Sequence, residues 1–360
     1  STAQHSTAQH STAQHSTAQH STAQHSTAQH SNSNRSLNEQ TEILAFAEKT
    51  KSTPQLISII IPSFNGKHHL KDRLPSVVLA CKQSPIPTEI IVVDDNSEDD
   101  TLNFLKEEFK GNIKSFKNPQ KGACSARNHG VLQSKGDILF FIDNDVYLDE
   151  NFFKTAMPYL SPDMFCAACA GYKAVNPKEQ LDGIKLINWK RGFFRFTNNI
   201  YNKDLKPADK YLSYGVQGAY FFIERRKFEQ LNGFDTLLDP YGLEETDLTY
   251  RGLKRGWEIE YIKNVRPLHK CGGTIASKTN KRTRKLFERN RMLFIWKNTH
   301  SKALLLNHLL WLWRSPYQVL QLLKILKKIK TKRIEQIPFI SKTDKQILKE
   351  CAEYALSIKE

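Results

Sequence analysis

Cysteine is scarce in this sequence, with 6 residues in 360, which limits both disulfide and metal chemistry. We expect no secretory leader, a reducing compartment and therefore no disulfide framework. Cys166 and Cys169 form a C-x-x-C, but no second pair follows at the spacing of a zinc site. The surrounding MFCAACAGY indicates a buried apolar strand. We therefore predict structural thiols there rather than redox or metal-binding ones.

A long uninterrupted hydrophobic run is also missing. The most apolar stretch is broken by Asn307, His308, Arg314 and Pro316, and its uncharged runs fall short of the roughly 20 residues that a spanning helix needs. The interrupted apolar pattern of residues 299–360 therefore predicts amphipathic helices. Because leucines and tryptophans stand beside a lysine-rich end, we expect these helices to contact an anionic membrane; the alternative is packing on the core. The expected location is cytoplasmic, peripherally associated with the inner face of the plasma membrane.

Acidic residues are too few to balance the basic ones: 37 Asp and Glu stand against 53 Lys and Arg, and the formal net charge is +16. This charge indicates an anionic partner, which nucleic acid, an acidic membrane surface or a phosphorylated substrate would satisfy. A nucleic-acid-binding protein is one alternative, but no RNA-recognition signature, zinc finger or basic zipper occurs. A sugar-nucleotide nucleotidyltransferase is another, but PSFNGKHH lacks the glycine-rich loop expected after the first strand.

The first 30 residues are six copies of Ser-Thr-Ala-Gln-His, a polar tract with no apolar face to bury. We predict a disordered tail over residues 1–50, with a short amphipathic helix from Leu37 to Lys49. The codons AGC ACA GCA CAG CAC spell the repeat and are three copies of AGCAC, so slippage of one unit would shift the reading frame. Phase variation of the gene is thus one hypothesis, and a tolerated polar tail or a cloning artefact is the other.

From residue 55 onward, short apolar runs alternate with helical patterns, which predicts an α/β domain with a mostly parallel sheet. LISIIIP (56–62), EIIVVDD (89–95) and DILFFID (137–143) are near-continuous apolar runs of the kind that form parallel strands covered on both faces. Each run ends in polar residues. Because ligands of open α/β sheets bind beyond the carboxyl ends of the strands, these residues predict one shared site.

An ordered set of motifs gives this site a chemistry: SIIIPSFNG, EIIVVDDNSEDDT, GACSARNHG, DILFFIDNDVYL, QGAYFF, NGFD and GLEETDLTYR. Together they resemble glycosyltransferase family 2 over roughly residues 55–275. The resemblance implies a GT-A fold, a Rossmann-like nucleotide-diphospho-sugar transferase domain, which we place at 55–298 with a C-terminal helical appendage. It also implies metal-dependent, inverting transfer from a nucleoside-diphosphate sugar, with UDP or dTDP expected. The expected acceptor is a lipid-linked or cell-surface glycan of the lipopolysaccharide, lipooligosaccharide or capsule type.

Carried onto this sequence, the family motifs assign the donor site to residues at the predicted strand ends and in the loop before the third long strand. Asp95 is expected to hold the nucleoside base. Arg127 is expected either to grip phosphate or ribose or to pair with Asp143 or Asp145. The full donor-binding set is Pro62, Phe64, Asp94, Asp95, Gly122, Arg127, Asn128, Asp143 and Asn144.

Asp143-Asn144-Asp145 resembles the family's D-x-D, which implies a divalent cation, Mg²⁺ or Mn²⁺, bridging the donor phosphates. The predicted metal ligands are Asp145, Asp143 and His269, the last because a histidine often follows this strand in the family. The alternative for the carboxylates is a solvated turn at the strand end, and for His269 a structural role.

Glu244 and Glu245 occupy the family's Glu-Asp position, which implies that one of them deprotonates the acceptor hydroxyl. Glu245 is the expected general base, and Glu244 is its rival because glutamate replaces the commoner aspartate. The bland alternative is acidic charge at a helix N-terminus. Asp247 and Arg251, spaced i and i+4, predict a supporting ion pair. Residues 171–215 are expected to shape the acceptor side.

Overall fold

The apolar runs of the sequence form the centre of an eight-stranded sheet in the computed structural model, which describes residues 54–270 and 281–359. Strand β1 (Ile57–Ser63) lies between β2 (Thr88–Asp94) and β4 (Ile138–Ile142) and runs parallel to both. Their side chains are almost entirely buried because helices cover both faces. The three predicted parallel strands are confirmed.

The rest of this sheet is mixed but mostly parallel. Of its seven neighbouring pairs, four are parallel and three antiparallel. Across the sheet the order is β11 (Leu212–Ser213), β13 (Ile259–Ile262), β6 (Cys166–Cys169), β12 (Tyr220–Glu224), β4, β1, β2 and β3 (Lys114–Lys117). The predicted α/β architecture with a mostly parallel sheet is confirmed.

Two smaller sheets complete the strands that the structure describes. One has four strands in the order β5 (Val146–Tyr147), β14 (Leu268–His269), β7 (Gly171–Lys173) and β8 (Asn176–Asp182). The other is an antiparallel hairpin of β9 (Ile184–Lys190) and β10 (Phe193–Ile200). The first brings the end of β14 beside the segment that follows β4, and the second lies within the region predicted to shape the acceptor side.

Helices cover the central sheet on both faces. Ile59 and Ile60 of β1 point to opposite faces and belong to separate hydrophobic clusters. The cluster around Ile59 includes side chains of α1 (Lys67–Lys82), α2 (Thr101–Glu108) and α4 (Phe152–Ala156). The cluster around Ile60 includes side chains of α3 (Ala123–Leu132), α5 (Arg225–Gln230) and α6 (Glu244–Lys254).

The C-terminal region is helical, as predicted. Its helices are α7 (Lys281–Asn298), α8 (Lys302–Leu309), α9 (Pro316–Leu323), α10 (Leu326–Gln336) and α11 (Asp344–Ser357). Met292, Leu322, Ile329 and Cys351 of these helices are buried in the same cluster as α6. In the part of the chain that the structure describes, no helix is both long and apolar enough to cross a membrane.

The cysteine prediction is confirmed for the apolar strand, since Cys166 and Cys169 lie buried on β6 as free thiols. The pentapeptide repeat and the helix predicted from Leu37 to Lys49 lie outside the described residues.

Candidate active site

The carboxyl ends of β1, β2 and β4 meet at one edge of the sheet, and the predicted polar residues lie there. Ser63 of β1 is in register with Asp94 of β2, and the half-buried Pro62 precedes it. Asp94 is buried, and its Oδ2 accepts a hydrogen bond from the backbone N of Ser97 at 3.2 Å, which closes the turn after β2. Asn144, after β4, donates from Nδ2 to Ser63 Oγ at 2.9 Å. These contacts fix the strand ends relative to one another.

Asp95 and the loop before α3 form one side of this edge. The Asp95 carboxylate accepts hydrogen bonds from the backbone N of Gly122 at 2.8 and 3.1 Å. Gly122 has a φ of +140°, and an added Cβ would collide with the Asp239 carboxylate, so the loop needs glycine. The Lys121 ammonium lies 4.5 Å from the centre of the half-buried Phe64 ring. A ring, a carboxylate and an exposed cation suit a nucleotide, which offers a flat base, hydroxyls and phosphate.

Arg127 is buried and joins two of the predicted carboxylates. Its Nη2 lies 2.9 Å from Oδ1 of Asp143, and its Nη1 lies 3.0 Å from Oε1 of Glu244. Of the two expectations for Arg127, pairing with Asp143 is therefore what the structure shows, whereas Asp145 has a different partner. Arg127 connects the carboxyl end of β4 to the N-terminus of α6.

Asn128, next to it on α3, uses both ends of its side-chain amide on the loop before α6. Its Nδ2 donates to the carbonyl oxygen of Phe234 at 2.8 Å, and its Oδ1 accepts from the backbone N of Phe234 at 2.9 Å. These contacts give Asn128 a structural role, and donor binding by this residue stays a prediction.

Asp145 and His269 face each other across two paired strands. β14 runs antiparallel to β5 with His269 opposite Val146, which places Nε2 of His269 3.1 Å from Oδ1 of Asp145. Burial alone would lower the pKa of His269, but the hydrogen bond and charge of Asp145 raise it above its ordinary value. Burial would raise the pKa of Asp145, and the His269 contact lowers it instead.

Carboxylate oxygen and imidazole nitrogen are both ligands that Mn²⁺ accepts, so the Asp145–His269 pair fits a divalent cation. Asp143 is turned toward Arg127. Within residues 54–270 and 281–359, no three His, Cys, Asp or Glu side chains are arranged to hold a metal on their own.

The two glutamates at the start of α6 have different surroundings. Glu244 is buried, with Oε1 on Arg127 and Oε2 accepting from the backbone N of Gly242. Burial raises its pKa; the charge of Arg127 opposes this, but burial together with the smaller effect of the Glu245 charge keeps the pKa above its ordinary value. Glu245 is more accessible, with its side chain 15% exposed and Oε1 accepting from Thr246 Oγ1 at 3.0 Å. Both oxygens of Glu244 are engaged, which favours Glu245 as the residue that meets substrate.

Lys185 is a site residue that the sequence did not reveal. It lies on β9, and its Nζ stands 3.3 Å from Oε1 of Glu245. In the sequence it belongs to the strand IKLINWK, 60 positions before the glutamate, and carries no motif. Only the packing of β9 against α6 brings the two charges together.

The remaining prediction for α6 is confirmed. Nε of Arg251 lies 2.9 Å from Oδ2 of Asp247, so these residues form the i, i+4 ion pair. Lys297 of α7 joins them from the other side, at 2.7 Å from Oδ1 of Asp247. The pair therefore belongs to the scaffold under the glutamates.

The comparison with protein families decides what kind of site this is. Residues 58–231 match the model described as Glycosyl transferase family 2. Residues 58–231 therefore form a glycosyltransferase family 2 domain. The match contains the predicted donor residues from Pro62 to Asn144 and ends after α5, so Glu244, Glu245 and His269 lie beyond it.

Two curated relatives show how similar this chain is to other proteins. It is 26% identical over 241 residues to N-acetylgalactosaminyltransferase 6 of Drosophila melanogaster, covering 63% of this chain and 35% of the relative. It is 25% identical over 239 residues to polypeptide N-acetylgalactosaminyltransferase 13 of Homo sapiens, covering 58% of this chain and 42% of the relative. The chain thus matches less than half the length of either relative.

Among solved structures, the crystal structure of GalNAc-T7 with UDP, GalNAc and Mn²⁺ superposes on this chain with a TM-score of 0.59. The two chains are 19% identical, and the superposition covers 85% of this chain and 58% of the other. At this identity the likeness concerns the fold, and it confirms the GT-A fold that the motifs implied.

Proposed function

We propose that this glycosyltransferase takes its sugar from a nucleoside-diphosphate sugar bound across the carboxyl ends of β1, β2 and β4. The observation that carries the proposal is that Asp95, the Asp145–His269 pair and the Glu244–Glu245 pair gather at this edge. Asp95 would accept hydrogen bonds from the base or ribose. UDP or dTDP is the proposed nucleotide, and the names of the relatives support UDP-N-acetylgalactosamine as the first donor to test.

We also propose a divalent cation, Mg²⁺ or Mn²⁺, held by Asp145 and His269, with Asp143 near it. When bound, such a cation neutralises charge on the departing diphosphate. The chain's own contribution is to hold the carboxylate and the imidazole 3.1 Å apart on paired strands. Burial raises the pKa of Asp143, and Arg127 opposes this rise and holds the carboxylate in place through its 2.9 Å contact.

The proposed reaction is an in-line displacement with inversion at the anomeric carbon. The acceptor oxygen forms the new bond to this carbon, the bond to the phosphate oxygen breaks with its electrons on the nucleoside diphosphate, and the acceptor proton passes to Glu245. Glu245 suits this role because burial would raise its pKa, whereas Lys185 lowers it below its ordinary value, so the carboxylate is ionised and ready to accept. Glu244 serves instead to anchor Arg127.

The proposed acceptor is a lipid-linked or cell-surface glycan of the lipopolysaccharide, lipooligosaccharide or capsule type. What supports it is a membrane-compatible surface formed by α8, α9 and the segment between them. This leucine–tryptophan surface consists of six side chains that are 50–72% exposed: Leu306, Leu309, Leu310, Trp313, Leu320 and Leu323. A polypeptide acceptor, as in the name of one relative, is the alternative that an acceptor screen would reveal.

Charge near this surface also suits a membrane. From Lys302 to Arg333 the chain has eight Lys and Arg residues and no Asp or Glu. The other side of α8 is fixed to the protein, since His308 is buried and accepts from Trp296 Nε1 at 3.0 Å. We therefore propose that the leucine–tryptophan surface lies in the headgroup region of an anionic inner membrane, with the enzyme on the cytoplasmic side.

Phase variation of the gene is a further proposal, supported by the pentapeptide repeat of residues 1–30. In this proposal, the switched product is a surface glycan exposed to a host. Sequencing the gene tests this: an uninterrupted AGCAC tract is expected, and mixed synonymous codons would contradict the idea.

The donor proposal is tested by thermal-shift measurements with UDP, dTDP, GDP and CMP sugars, each with and without Mn²⁺. We expect one nucleotide to raise the melting temperature in the presence of Mn²⁺, because a ligand that binds only the folded state stabilises it. Asp145→Ala should abolish the part of this rise in melting temperature that depends on Mn²⁺, and Glu245→Gln should retain it. Absence of any nucleotide effect, together with salt-sensitive binding to DNA or RNA, would overturn the proposal in favour of nucleic-acid binding.

A further inference from the structure

A buried lysine lies directly beside the proposed base. The side chain of Lys185 is only 9% exposed. Its Nζ donates to the carbonyl oxygen of Val216 at 2.7 Å and to Thr246 Oγ1 at 3.2 Å, and it lies 3.3 Å from Oε1 of Glu245. An ammonium group has three protons, so these three acceptors can account for all of them.

The backbone at Lys185 is fixed independently of these contacts. Its N donates to Ser213 Oγ at 3.0 Å, and its carbonyl oxygen accepts from the backbone N of Tyr214 at 2.8 Å. These backbone hydrogen bonds of β9 therefore fix the Cα position of Lys185. The carboxylate of Glu245 meets an ammonium group that is already in place.

The two carboxylate oxygens of Glu245 are not equivalent. Oε1 contacts Lys185 and Thr246. In residues 54–270 and 281–359, the side chains of other residues that donate to this carboxylate do so at Oε1, whereas Oε2 lies beside Gly218, where an added Cβ would be 3.3 Å away. Because glycine leaves this space open, Oε2 is the oxygen that an acceptor hydroxyl can reach.

We propose that Lys185 is a positioning residue, which holds Oε1 of Glu245 and thereby presents Oε2 to the acceptor hydroxyl. The proposal rests on the proposed function in taking Glu245 as the base. In the transfer step the acceptor proton moves to Oε2 as the acceptor oxygen bonds to the anomeric carbon, and Lys185 keeps its own protons. Lys185 therefore acts through Glu245 and not on the substrate.

The electrostatic consequence is specific to this arrangement. In the described part of the chain, Glu245 is acted on by Lys185 from β9, Arg127 from α3 and Glu244 on its own helix. Burial alone would raise the pKa of Glu245, and the Lys185 charge, the Thr246 hydroxyl and Arg127 lower it. Without the ammonium group of Lys185, less charge opposes the effect of burial, and the pKa of Glu245 rises. A lysine that only filled space would not produce this change.

The pKa of Glu245 can be measured without substrate, by ¹³C NMR of the δ-carboxyl carbons in protein labelled with [5-¹³C]glutamate. Glu245→Gln assigns the resonance. In Lys185→Met we expect the pKa to rise by about one unit or more, the usual effect of losing an opposite charge at this distance. Lys185→Arg should stay near the wild-type value. Lys190→Met, which removes an exposed lysine from the same strand, is the matched control and should change nothing.

Activity supplies the second measurement, with UDP-N-acetylgalactosamine and Mn²⁺ as the probe and water as the acceptor. In Lys185→Met the acidic limb of the kcat/KM profile should move to higher pH by the same shift, with the KM for the donor unchanged. In a Glu245→Gln background, Lys185→Met should cause no additional loss, because residues that act as one unit are not additive.

The outcomes separate this proposal from the proposed function. An unshifted Glu245 resonance in folded Lys185→Met overturns the positioning role alone. A shifted resonance with full activity in Glu245→Gln overturns the base assignment and, with it, the role of Lys185 in transfer. Should Lys185→Met unfold, Lys185→Gln repeats the test, because it removes the charge but retains a donor for the Val216 carbonyl.

Discussion

At the scale of single residues, the site separates two adjacent glutamates by what they contact. Glu244 has both oxygens bound by Arg127 and by backbone, whereas Glu245 keeps Oε2 open beside Gly218. Helical geometry explains the difference, since consecutive residues point about 100° apart around a helix and meet different neighbours. One glutamate is therefore suited to structure and the other to chemistry.

Two matched substitutions test this separation. Glu245→Gln should lower transfer about 10²- to 10⁴-fold, the usual worth of a general base, and should destabilise the fold less than Glu244→Gln, because Lys185 keeps two other acceptors. Glu244→Gln should lower the free energy of unfolding by about 1–3 kcal/mol, because it weakens the buried partner of Arg127. Kinetics and thermal denaturation of both variants give the comparison. Equal loss of activity in both, with unchanged stability, would contradict the assignment.

How far the sequence could predict the site follows from where each signal lies. Asp145 closes a strongly apolar run, so its place at the sheet edge was predictable, and the family motifs singled out Glu245. The contact of Lys185 with Glu245 was not predictable from the sequence, because it depends on the packing of a hairpin against a helix. The division of Arg127 between Asp143 and Glu244 likewise depends on distances that a motif does not contain.

At the scale of elements, helix α6 is held by buried ion pairs in addition to the contacts of its two glutamates. Lys297 of α7 lies 2.6 Å from Oδ2 of Asp235 and 2.7 Å from Oδ1 of Asp247. Lys254, at the other end of α6, lies 2.8 Å from Oδ1 of Asp344 at the start of α11. The sequence pattern predicted α6. It did not predict these ion pairs, because they join residues more than 40 positions apart and produce no periodic pattern.

Acid should weaken this element through Asp235. Burial would raise the pKa of Asp235, but Lys297 lowers it from 3.8 to about 2. A lowered pKa in the folded state stabilises the fold above the unfolded value, so this contribution, about 2 kcal/mol, is present above pH 4 and is lost as the pH falls toward 2. Urea unfolding between pH 6 and pH 2.5 measures it. Asp235→Asn should show a flatter dependence, and a slope identical to that of wild type would contradict the prediction.

The ion pair between Lys254 of α6 and Asp344 of α11 predicts that a single substitution strongly destabilises the fold. Asp344→Asn leaves the ammonium of Lys254 buried without its carboxylate, so the free energy of unfolding should fall by about 3–5 kcal/mol. Glu353→Gln, which removes an exposed carboxylate from the same helix, should change it by less than about 0.5 kcal/mol. Chemical denaturation of both variants checks this. Similar values for the two would show that the buried pair does not anchor α11.

At the scale of the whole molecule, the C-terminal helices have two faces with different tasks. One face is part of the hydrophobic core beside α6, as Leu322 and Ile329 show. The other is the leucine–tryptophan surface, which stays exposed although the same helices supply buried side chains. An exposed apolar surface of this kind usually marks an interaction site. The run of basic residues without acidic ones near this surface supports the anionic bilayer that we propose as its partner.

Vesicle sedimentation tests that partner and separates its two components. Wild type should bind vesicles containing anionic phosphatidylglycerol and bind neutral phosphatidylcholine vesicles far less, and added salt should weaken the binding. Replacing Lys324, Lys327 and Lys328 by Gln should lower the partition coefficient at least about tenfold, since each lysine near a membrane contributes about 1 kcal/mol. Replacing Leu310 and Trp313 by Ser should weaken binding to vesicles even at high salt, because apolar burial is not screened.

All five of these residues are exposed, so we expect each variant to fold, and its melting temperature checks this. If both variants bind as wild type does, the surface serves another partner, and the membrane-linked acceptor loses its structural support.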